Sequence, residues 1–422
     1  MSGLQPVRGT HDLLPEDMRR HRAVVETARA VAERYGYLEM ATPVFEFTEV
    51  FKRTLGETSD IVTKEMYTFT PGGTPGGPGG EGEQITLRPE ATAGIARALI
   101  SGGLAQHLPL KFFYSGPMFR HERPQKGRLR QFHQIDVELL GVAQPQGDVE
   151  IITVGAQILR ALGVLERTTL ELNTLGDPES RQAYRAVLVE YFSDHRDSLS
   201  EDSLQRLDRN PLRILDSKDE GDRKLVVDAP LFSDYLNQAS VDFFETVKRD
   251  LTALGLDYTL NPRLVRGLDY YTHTAFEFVT TELGAQGAVM AGGRYDGLVE
   301  TMGGPATPGV GWAAGIERLA MLMSDAPEAP RPIAVVPVGA EAERRALTLT
   351  ESLRAEGLVA DLGFGGNVGK RMKRANKIGA RAAVILGEDE LKQDSATVRD
   401  LDSGAQALVP LAGLAEHLAR YR

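Results

Sequence analysis

The clearest alternation of polar and apolar residues lies at positions 134–139. In chain order these residues are Gln134, Ile135, Asp136, Val137, Glu138 and Leu139. A period of two is typical of a β-strand whose two faces differ. The pattern therefore predicts a strand that packs one face into a core and presents an amide and two carboxylates to a polar pocket.

Apolar positions with a period near 3.6 predict two helices in the first hundred residues. One runs over about Glu16–Tyr35 and the other over Ala91–Ile100. The segment Thr86–Glu90 precedes the second helix, and its Pro89 and Glu90 suit the entry to a helix.

The length of 422 residues predicts two or three domains. Residues 177–257 are rich in charge and mostly helical in pattern, which indicates a helical insertion into a first domain at 1–325. Three prolines between Ala326 and Pro332 favour an extended linker at 326–332. Beyond it, at 333–422, buried strands separated by helices predict a small α/β domain. Those strands are Ile333–Val338, Val359–Leu362 and Ala382–Leu386.

Composition adds mainly exclusions. No run approaches the roughly 18 apolar residues of a membrane span, and the N-terminal segment Met1–Arg22 is too polar for a secretory signal. The absence of cysteine excludes disulfides and thiolate metal sites. We therefore expect a cytoplasmic protein without membrane contact. A net charge of −11 argues against indiscriminate binding of nucleic acid. The glycine- and proline-rich segment Pro71–Gly82 is expected to form an exposed loop.

A cluster of basic residues directly precedes the alternating strand. It contains Arg120, Arg123, Lys126, Arg128 and Arg130. Planar guanidinium groups bind phosphate oxygens in pairs and neutralise charge at phosphorus. A solvated basic turn is the alternative. Next to a polar pocket, the cluster instead favours an enzyme that joins a nucleotide phosphate to a small, hydrogen-bonding substrate.

The segment Arg266–Phe278 is rich in aromatic residues and predicts a strand. In a regular strand, Tyr270, Phe276 and Phe278 would share one face, and Tyr271, His273 and Glu277 would share the other. Tyr271 would then offer a phenol to the pocket, with Arg266 as a second fixed positive charge. An ordinary aromatic strand is the alternative.

Two glycine-rich segments follow. Gly292–Gly297 contains Tyr295, and its paired glycines would let backbone approach a ligand closely. Gly309–Gly315 predicts a strand that leads into a helix. On this helix Arg318 lies on a different face from the apolar stripe and could reach a nucleotide. Each segment alone would be interpreted as a turn or an ordinary strand end.

The segment after Gly365 resembles a phosphate-binding P-loop but lacks its first glycine and its Ser or Thr. Four basic residues there share one helical face, which fits either RNA-backbone binding or a solvated surface. They are Lys370, Lys373, Arg374 and Lys377. Neither a His-Glu-x-x-His pair nor a Gly-x-Ser-x-Gly elbow is present, so we predict no protein-ligated metal and no catalytic triad.

Taken in order, these segments resemble the histidyl-tRNA synthetases, a family of class II aminoacyl-tRNA synthetases. The N-terminal segment Val7–Pro15 is similar to the usual opening of the family, and Ala41–Glu46 resembles motif 1, which forms dimers. The other matching segments are Phe119–Glu138 (motif 2), Gly309–Leu319 (motif 3), and the two histidine-specific boxes Arg266–Tyr271 and Gly292–Gly297. Ala91, where glycine is common, and the loop at Pro71–Gly82 depart from the family pattern.

The resemblance implies an α+β catalytic domain with a class II antiparallel sheet and a helical insertion, followed by an α/β anticodon-binding domain. It implies activation of histidine by ATP with Mg²⁺, transfer to histidine tRNA, and a homodimer. Histidine would be bound by Glu90, Thr92, Gln134, Glu138, Tyr270, Tyr271 and Tyr295. ATP would be bound by Arg120, Glu122, Arg128 and Arg318, with Arg120 and Arg266 acting at the α-phosphate.

Two other functions remain open at this point. A histidine-sensing regulatory paralogue of histidine biosynthesis would share the catalytic fold, but such proteins usually lack the C-terminal module and the ATP-binding arginines. A nucleotide-binding scaffold without activity is the other. Charging of tRNA distinguishes both from the enzyme.

Overall fold

The computed structural model describes residues 4–56, 59, 61–70, 83–125, 127–215, 217–265, 270–284, 287–324 and 327–421. The predicted loop Pro71–Gly82, Lys126 and Arg266 lie outside the described residues. The chain divides into two compact units, Met1–Pro327 and Glu328–Arg422.

The strands of the first unit are β1 Leu38–Met40, β2 Phe45–Phe47, β3 Tyr67–Phe69, β4 Ile85–Leu87, β5 Leu110–Phe119, β6 Gln131–Leu140, β7 Thr169–Thr174, β8 Thr259–Leu260, β9 Thr272–Val279, β10 Ala288–Arg294 and β11 Gly309–Gly315. Its α-helices are α1 Pro15–Arg34, α2 Thr48–Leu55, α3 Thr92–Ser101, α4 Pro145–Ala161, α5 Pro178–Asp194, α6 Glu201–Arg209, α7 Glu220–Asp228, α8 Gln238–Ala253, α9 Leu298–Thr301 and α10 Ile316–Leu322. The helices predicted at Glu16–Tyr35 and Ala91–Ile100 are confirmed as α1 and α3.

Within the described residues, eight strands form the main sheet in the order β1-β5-β6-β11-β10-β9-β7-β8. The six central strands pair antiparallel, and β1 and β8 pair parallel at the two edges. Apolar side chains from α1, α4 and α8 pack against one face, where Ile135, Val137 and Leu139 of β6 are buried. The apolar half of the predicted alternation is thereby confirmed.

Among the residues that the structure describes, the opposite face of the sheet is covered only in part. Helix α3 packs there through Ile95 and Leu99, next to Tyr114 of β5. A small antiparallel sheet, β2-β4-β3, leads into this helix. The central strands are therefore open on this face, and a cavity forms over them.

The helical segment of the first unit has two parts. Helices α5, α6 and α7 bury their own apolar cluster around Tyr184, Leu188 and Leu207. Helix α8 also lies in the region predicted as a helical insertion, but its Val247 and Leu251 belong to the core of the main sheet. The structurally separate part is thus shorter than residues 177–257.

The second unit contains strands β12 Ile333–Pro337, β13 Ala360–Leu362, β14 Ala382–Leu386, β15 Ser395–Asp400 and β16 Gln406–Pro410, and helices α11 Ala340–Ala355, α12 Val368–Lys377, α13 Glu388–Lys392 and α14 Leu414–Leu418. The sheet order is β13-β12-β14-β15-β16, with apolar clusters on both faces. The three predicted strands are confirmed. The pattern missed β15 and β16, and the second of these lies at the sheet edge with only Val409 buried.

No helix in the described parts of the chain is long and apolar enough to cross a membrane.

Candidate active site

The floor of the cavity is formed by matching residues on two neighbouring strands. Gln134, Asp136 and Glu138 of β6 stand opposite Gly315, Ala313 and Gly311 of β11. Each polar side chain thus has a very small residue as its neighbour, which leaves room above the sheet. The space is tightest at Gly311, where a Cβ atom would lie 1.7 Å from Oε2 of Glu138. Glycine is therefore required there for the observed position of Glu138.

For histidine, the substrate that the family resemblance implies, replacing Gly311 with alanine is expected to raise KM at least tenfold, because the new methyl group must displace the Glu138 carboxylate. The loss corresponds to about 1.4 kcal/mol or more, roughly one hydrogen bond to a charged group. Gly297→Ala is the matched control, because a Cβ atom there meets nothing within 4 Å. Equal KM values for the two variants in histidine-dependent pyrophosphate exchange would contradict this account.

Glu138 is buried and held by two hydroxyl groups. Thr92 Oγ1 donates to its Oε1 at 2.6 Å, and the Tyr295 hydroxyl donates to its Oε2. Burial raises the pKa of Glu138 to about 8, against the opposing effect of these two hydrogen bonds. The side chain is thus fixed in place and able to pair with a ligand N–H.

Glu90 orients the beginning of α3. Its Oε1 accepts from the Ala93 N–H at 2.7 Å, and its Oε2 accepts from the Thr92 N–H at 3.0 Å. A carboxylate suits the N-terminus of a helix, where N–H groups lack partners within the helix. Burial raises the pKa of Glu90, although these bonds and the Arg120 charge oppose the shift. Glu90 and Thr92 both line the cavity.

Three tyrosines form one wall of the cavity. The ring centroids of Tyr270 and Tyr271 are 4.6 Å apart, and those of Tyr270 and Tyr295 are 5.8 Å apart. All three residues line the same cavity as Gln134. The Tyr271 phenol therefore lines the same cavity as Tyr295, and the Glu138 carboxylate is hydrogen-bonded to Tyr295.

The predicted face pattern of Arg266–Phe278 is correct for Phe276 and Phe278, which share the core face, but wrong for Tyr270 and His273. Strand β9 begins at Thr272, so Tyr270 and Tyr271 lie before it and both reach the cavity. His273 has a left-handed backbone (φ 44°), and the pairing with β10 shifts register at this point. This irregularity breaks the period of two. The His273 ring consequently stacks on Phe243, 4.5 Å between centroids, instead of joining Glu277 at the cavity.

The other side of the cavity is basic and is lined by Arg120, Arg128 and Arg318. Nε of Arg120 donates to the Pro89 carbonyl oxygen at 2.8 Å, and its guanidinium lies over the Phe132 ring. Nη1 of Arg128 donates to Oε2 of Glu122 at 2.6 Å. Burial, followed by the Arg128 charge, lowers the pKa of Arg318. The basic side thus disfavours further positive charge and suits an anion.

The cavity encloses about 290 Å³ and joins these two sides. Of the residues predicted for histidine and ATP, those that line it are Glu90, Thr92, Arg120, Glu122, Arg128, Gln134, Tyr270, Tyr271, Tyr295 and Arg318. Glu138 lies directly behind this surface, bonded to Thr92 and Tyr295. Arg266 lies outside the described residues.

Sequence reasoning missed the residues that support this site. Arg294, fully buried, pairs with Asp148 and Asp296 and donates to the Val142 carbonyl oxygen, directly before Tyr295. Only the Asp296 partner was close enough in sequence to suggest such a role.

A second missed group lies beside Arg318. Both Glu317 oxygens accept from the His133 N–H at 3.0 Å, and the His21 ring meets the His133 ring edge-on. Each of these three residues offers one nitrogen or oxygen atom of a kind that can coordinate a metal ion, and these atoms all lie within 4.8 Å of one another. They come from α1, β6 and α10, so no local sequence motif could have revealed them.

The four predicted RNA-binding residues lie on α12 in the second unit and are exposed. Asn367 caps the N-terminus of this helix, and its Oδ1 accepts from the Lys370 N–H at 3.0 Å. Arg374 pairs with Asp361 at 2.9 Å. The predicted common face is present, with one of its four charges engaged within the unit.

Comparisons with known proteins agree along the whole chain. A family model described as histidyl-tRNA synthetase matches residues 9–319, and one described as an anticodon binding domain matches residues 332–421. A relative from Rhodospirillum rubrum, named histidine–tRNA ligase, is 64% identical over 100% of both chains. One of the same name from Gluconobacter oxydans is 58% identical, again over 100% of both. The apo crystal structure of S. aureus histidyl-tRNA synthetase has a TM-score of 0.82 at 34% identity, covering 98% of this chain and 99% of that one.

Proposed function

Because the chain belongs to the histidyl-tRNA synthetase family, we propose that it activates histidine with ATP and transfers the histidyl group to the 3′ end of a histidine tRNA. The observation that carries this proposal is one cavity with carboxylates and phenols on one side and guanidinium groups on the other. The first side suits an imidazole and an ammonium group, and the second suits a triphosphate.

The amino acid would bind over β6. Glu90, Thr92 and Gln134 would hold its α-amino group, and Glu138 and Tyr271 would bond to the two imidazole nitrogens. Tyr270 and Tyr295 would close the pocket around the ring. A site that satisfies both ring nitrogens rejects apolar isosteres by about 10⁴-fold, because its own buried groups would lose their partners.

ATP would bind on the basic side, with Arg120, Glu122, Arg128 and Arg318 around the phosphates and Mg²⁺ carried by the nucleotide. A carboxylate oxygen of histidine attacks the α-phosphorus, and the bond to the departing pyrophosphate breaks. Negative charge gathers on the α-phosphate oxygens as it does so. Arg120 and Arg266 would neutralise this charge, so the protein acts chiefly by position and electrostatics. A ribose hydroxyl of the tRNA then attacks the histidyl carbonyl carbon and releases AMP.

The test is aminoacylation of total tRNA by the purified protein with each amino acid in turn. We expect ATP-dependent charging with histidine alone. No charging with any amino acid, with histidine still bound, would instead support the regulatory paralogue. That alternative is disfavoured, because the full-length relatives at 64% and 58% identity are named histidine–tRNA ligase.

We also propose that the protein forms a homodimer in the cytoplasm. Several large apolar side chains of the small sheet and of the segment before it are exposed, and exposed apolar surface of this kind marks protein–protein interaction sites. They are Leu38, Val44, Phe45, Phe47 and Phe69. Part of this group lies in the segment that resembles motif 1. Sedimentation at micromolar concentration tests the proposal, and a monomer would contradict it.

The basic face of α12 is proposed to contact the RNA backbone. Replacing Lys370, Lys373 and Lys377 together with alanine is expected to raise KM for tRNA about tenfold. The salt slope of tRNA binding should fall by about one for each phosphate that is no longer bound. Histidine-dependent pyrophosphate exchange should be unchanged. The control removes Arg344, Arg345 and Lys392, which are also exposed in the second unit. Equal tRNA affinity for both triple variants would assign the lysines to a solvated surface.

A further inference from the structure

Asp136 lies in the cavity floor without an assigned role. Its side chain is 1% exposed, and it lines the cavity between Gln134 and the neighbourhood of Glu138. Its Oδ2 atom is buried and has no hydrogen-bond partner among the described residues. A buried carboxylate oxygen without a partner is costly, so its retention at a ligand cavity indicates a donor that arrives from outside.

The neighbouring acids differ from Asp136 in this respect. Both oxygens of Glu90 accept from N–H groups of α3, and both oxygens of Glu138 accept from hydroxyl groups. Asp136 stands opposite Ala313 on β11 and Tyr114 on β5, and neither side chain satisfies its Oδ2 atom. Of the three acids, Asp136 therefore retains the greatest capacity to bind a ligand donor.

The nearby cations are already engaged by backbone oxygens. Arg88 donates from Nε to the Pro117 carbonyl oxygen and from Nη1 to the Thr42 carbonyl oxygen, both at 2.8 Å. Arg120 donates from Nε to the Pro89 carbonyl oxygen. Burial raises the pKa of Asp136, and the charges of Glu138 and Glu90 raise it further, against the weaker effects of the two arginines. The cavity floor therefore has three acidic side chains against two nearby guanidinium groups, and a cationic ligand would restore the balance of charge.

We propose that Asp136 is a third acidic residue of the histidine subsite and accepts a hydrogen bond from the α-ammonium group of the substrate. The inference rests on the proposed function. Side chains at alternate positions of a strand stand roughly 6.6–6.8 Å apart on one face. Asp136 therefore lies one step from Gln134, at the amino end, and one step from Glu138, at the ring end. The ammonium is the permanent cation of histidine at neutral pH, and it can compensate this acid.

The test uses Asp136→Asn with three ligands that differ in one group each. Histidine and histidinol both carry the ammonium group, whereas imidazolepropionate carries the ring and carboxylate without it. We expect the substitution to weaken the binding of histidine and of histidinol by roughly 10- to 150-fold, the range for a hydrogen bond to a charged group. The inhibition constant of imidazolepropionate should stay within about twofold of its value for the parent protein. KM for ATP should also stay within about twofold, and an unchanged KM for ATP verifies that the variant is folded. Asp389→Asn is the control, since Asp389 is exposed on α13.

Two results would overturn the inference. One is unchanged affinity for histidine in Asp136→Asn. The other is an equal loss for all three ligands, which would place Asp136 at the ring or in the structural support of the strand. Asp136→Ala, which removes the carboxylate without adding an amide donor, should reproduce the selective loss. Failure of the proposed function would be distinguishable, because the parent protein itself would then show no histidine-dependent exchange.

Discussion

Replacing Arg120 with alanine is expected to lower kcat for histidine activation by about 10³- to 10⁵-fold, the range for a positioned arginine at a transferring phosphoryl group. The guanidinium is held by the Pro89 carbonyl oxygen and the Phe132 ring, and its Nη1 is 3.9 Å from Oε1 of Glu122. It is thus oriented before substrate binds. Such preorganised charge stabilises the transition state without reorganisation during the reaction.

The measurement is histidine-dependent pyrophosphate exchange at saturating histidine and ATP, with histidine affinity measured separately by calorimetry. Arg120→Lys keeps the charge but loses the paired N–H groups, so we expect an intermediate rate. Arg345→Ala, an exposed arginine of the second unit, is the control for loss of a positive charge. A fall in histidine affinity with unchanged kcat would move Arg120 from the reaction to substrate binding.

The sequence was informative wherever a single periodic segment determined the outcome. The two faces of β6 follow directly from alternation, because one residue of register decides which side chains reach the core. Gln134 and Asp136 therefore line the cavity, and Ile135 and Val137 lie in the core, as predicted. Helices α1 and α3 were equally clear, because their apolar stripes continue over at least two turns.

The remaining features depend on contacts between distant segments or on backbone irregularity. The register shift at His273 could not be read from an apolar pattern, although at this point the His273 ring lies on Phe243 and not at the cavity. The pairing of Arg294 with Asp148 joins residues 146 positions apart. Local sequence patterns carry no information about such a pair, yet it fixes the strand end that bears Tyr295.

The match between small residues on β11 and polar residues on β6 also depends on contacts between distant segments. Glycine at 309, 311 and 315 is compatible with any tight strand end, which is how these positions look in isolation. Only the observed register places Gly311 against Glu138 and Gly315 against Gln134. Gly311 then acquires a specific role, because a Cβ atom there would meet the Glu138 carboxylate.

Replacing Glu138 with glutamine is expected to lower kcat/KM for histidine by about 10³-fold, close to 4 kcal/mol. A hydrogen bond to a charged group contributes about 1.5–3 kcal/mol, and a buried group left without its partner costs a further 1–3 kcal/mol. Both Glu138 oxygens accept from hydroxyl groups, so the amide nitrogen of glutamine would place a donor against Thr92 or Tyr295. KM for ATP should change little. An unchanged kcat/KM for histidine would exclude Glu138 from the imidazole site.

The pH dependence provides an independent check on the same residue. Burial raises the pKa of Glu138 to about 8 in the free protein. An imidazole N–H that donates to this carboxylate favours its charged form, so the pKa is lower in the complex. Histidine binding near pH 7 should therefore release a proton, and the contribution of Glu138 to affinity should rise with pH and level off above about 8. Calorimetry in buffers of different ionisation enthalpy measures this proton, and the glutamine variant should lack it. The same proton release from both proteins would assign the titration to another group, because glutamine cannot titrate.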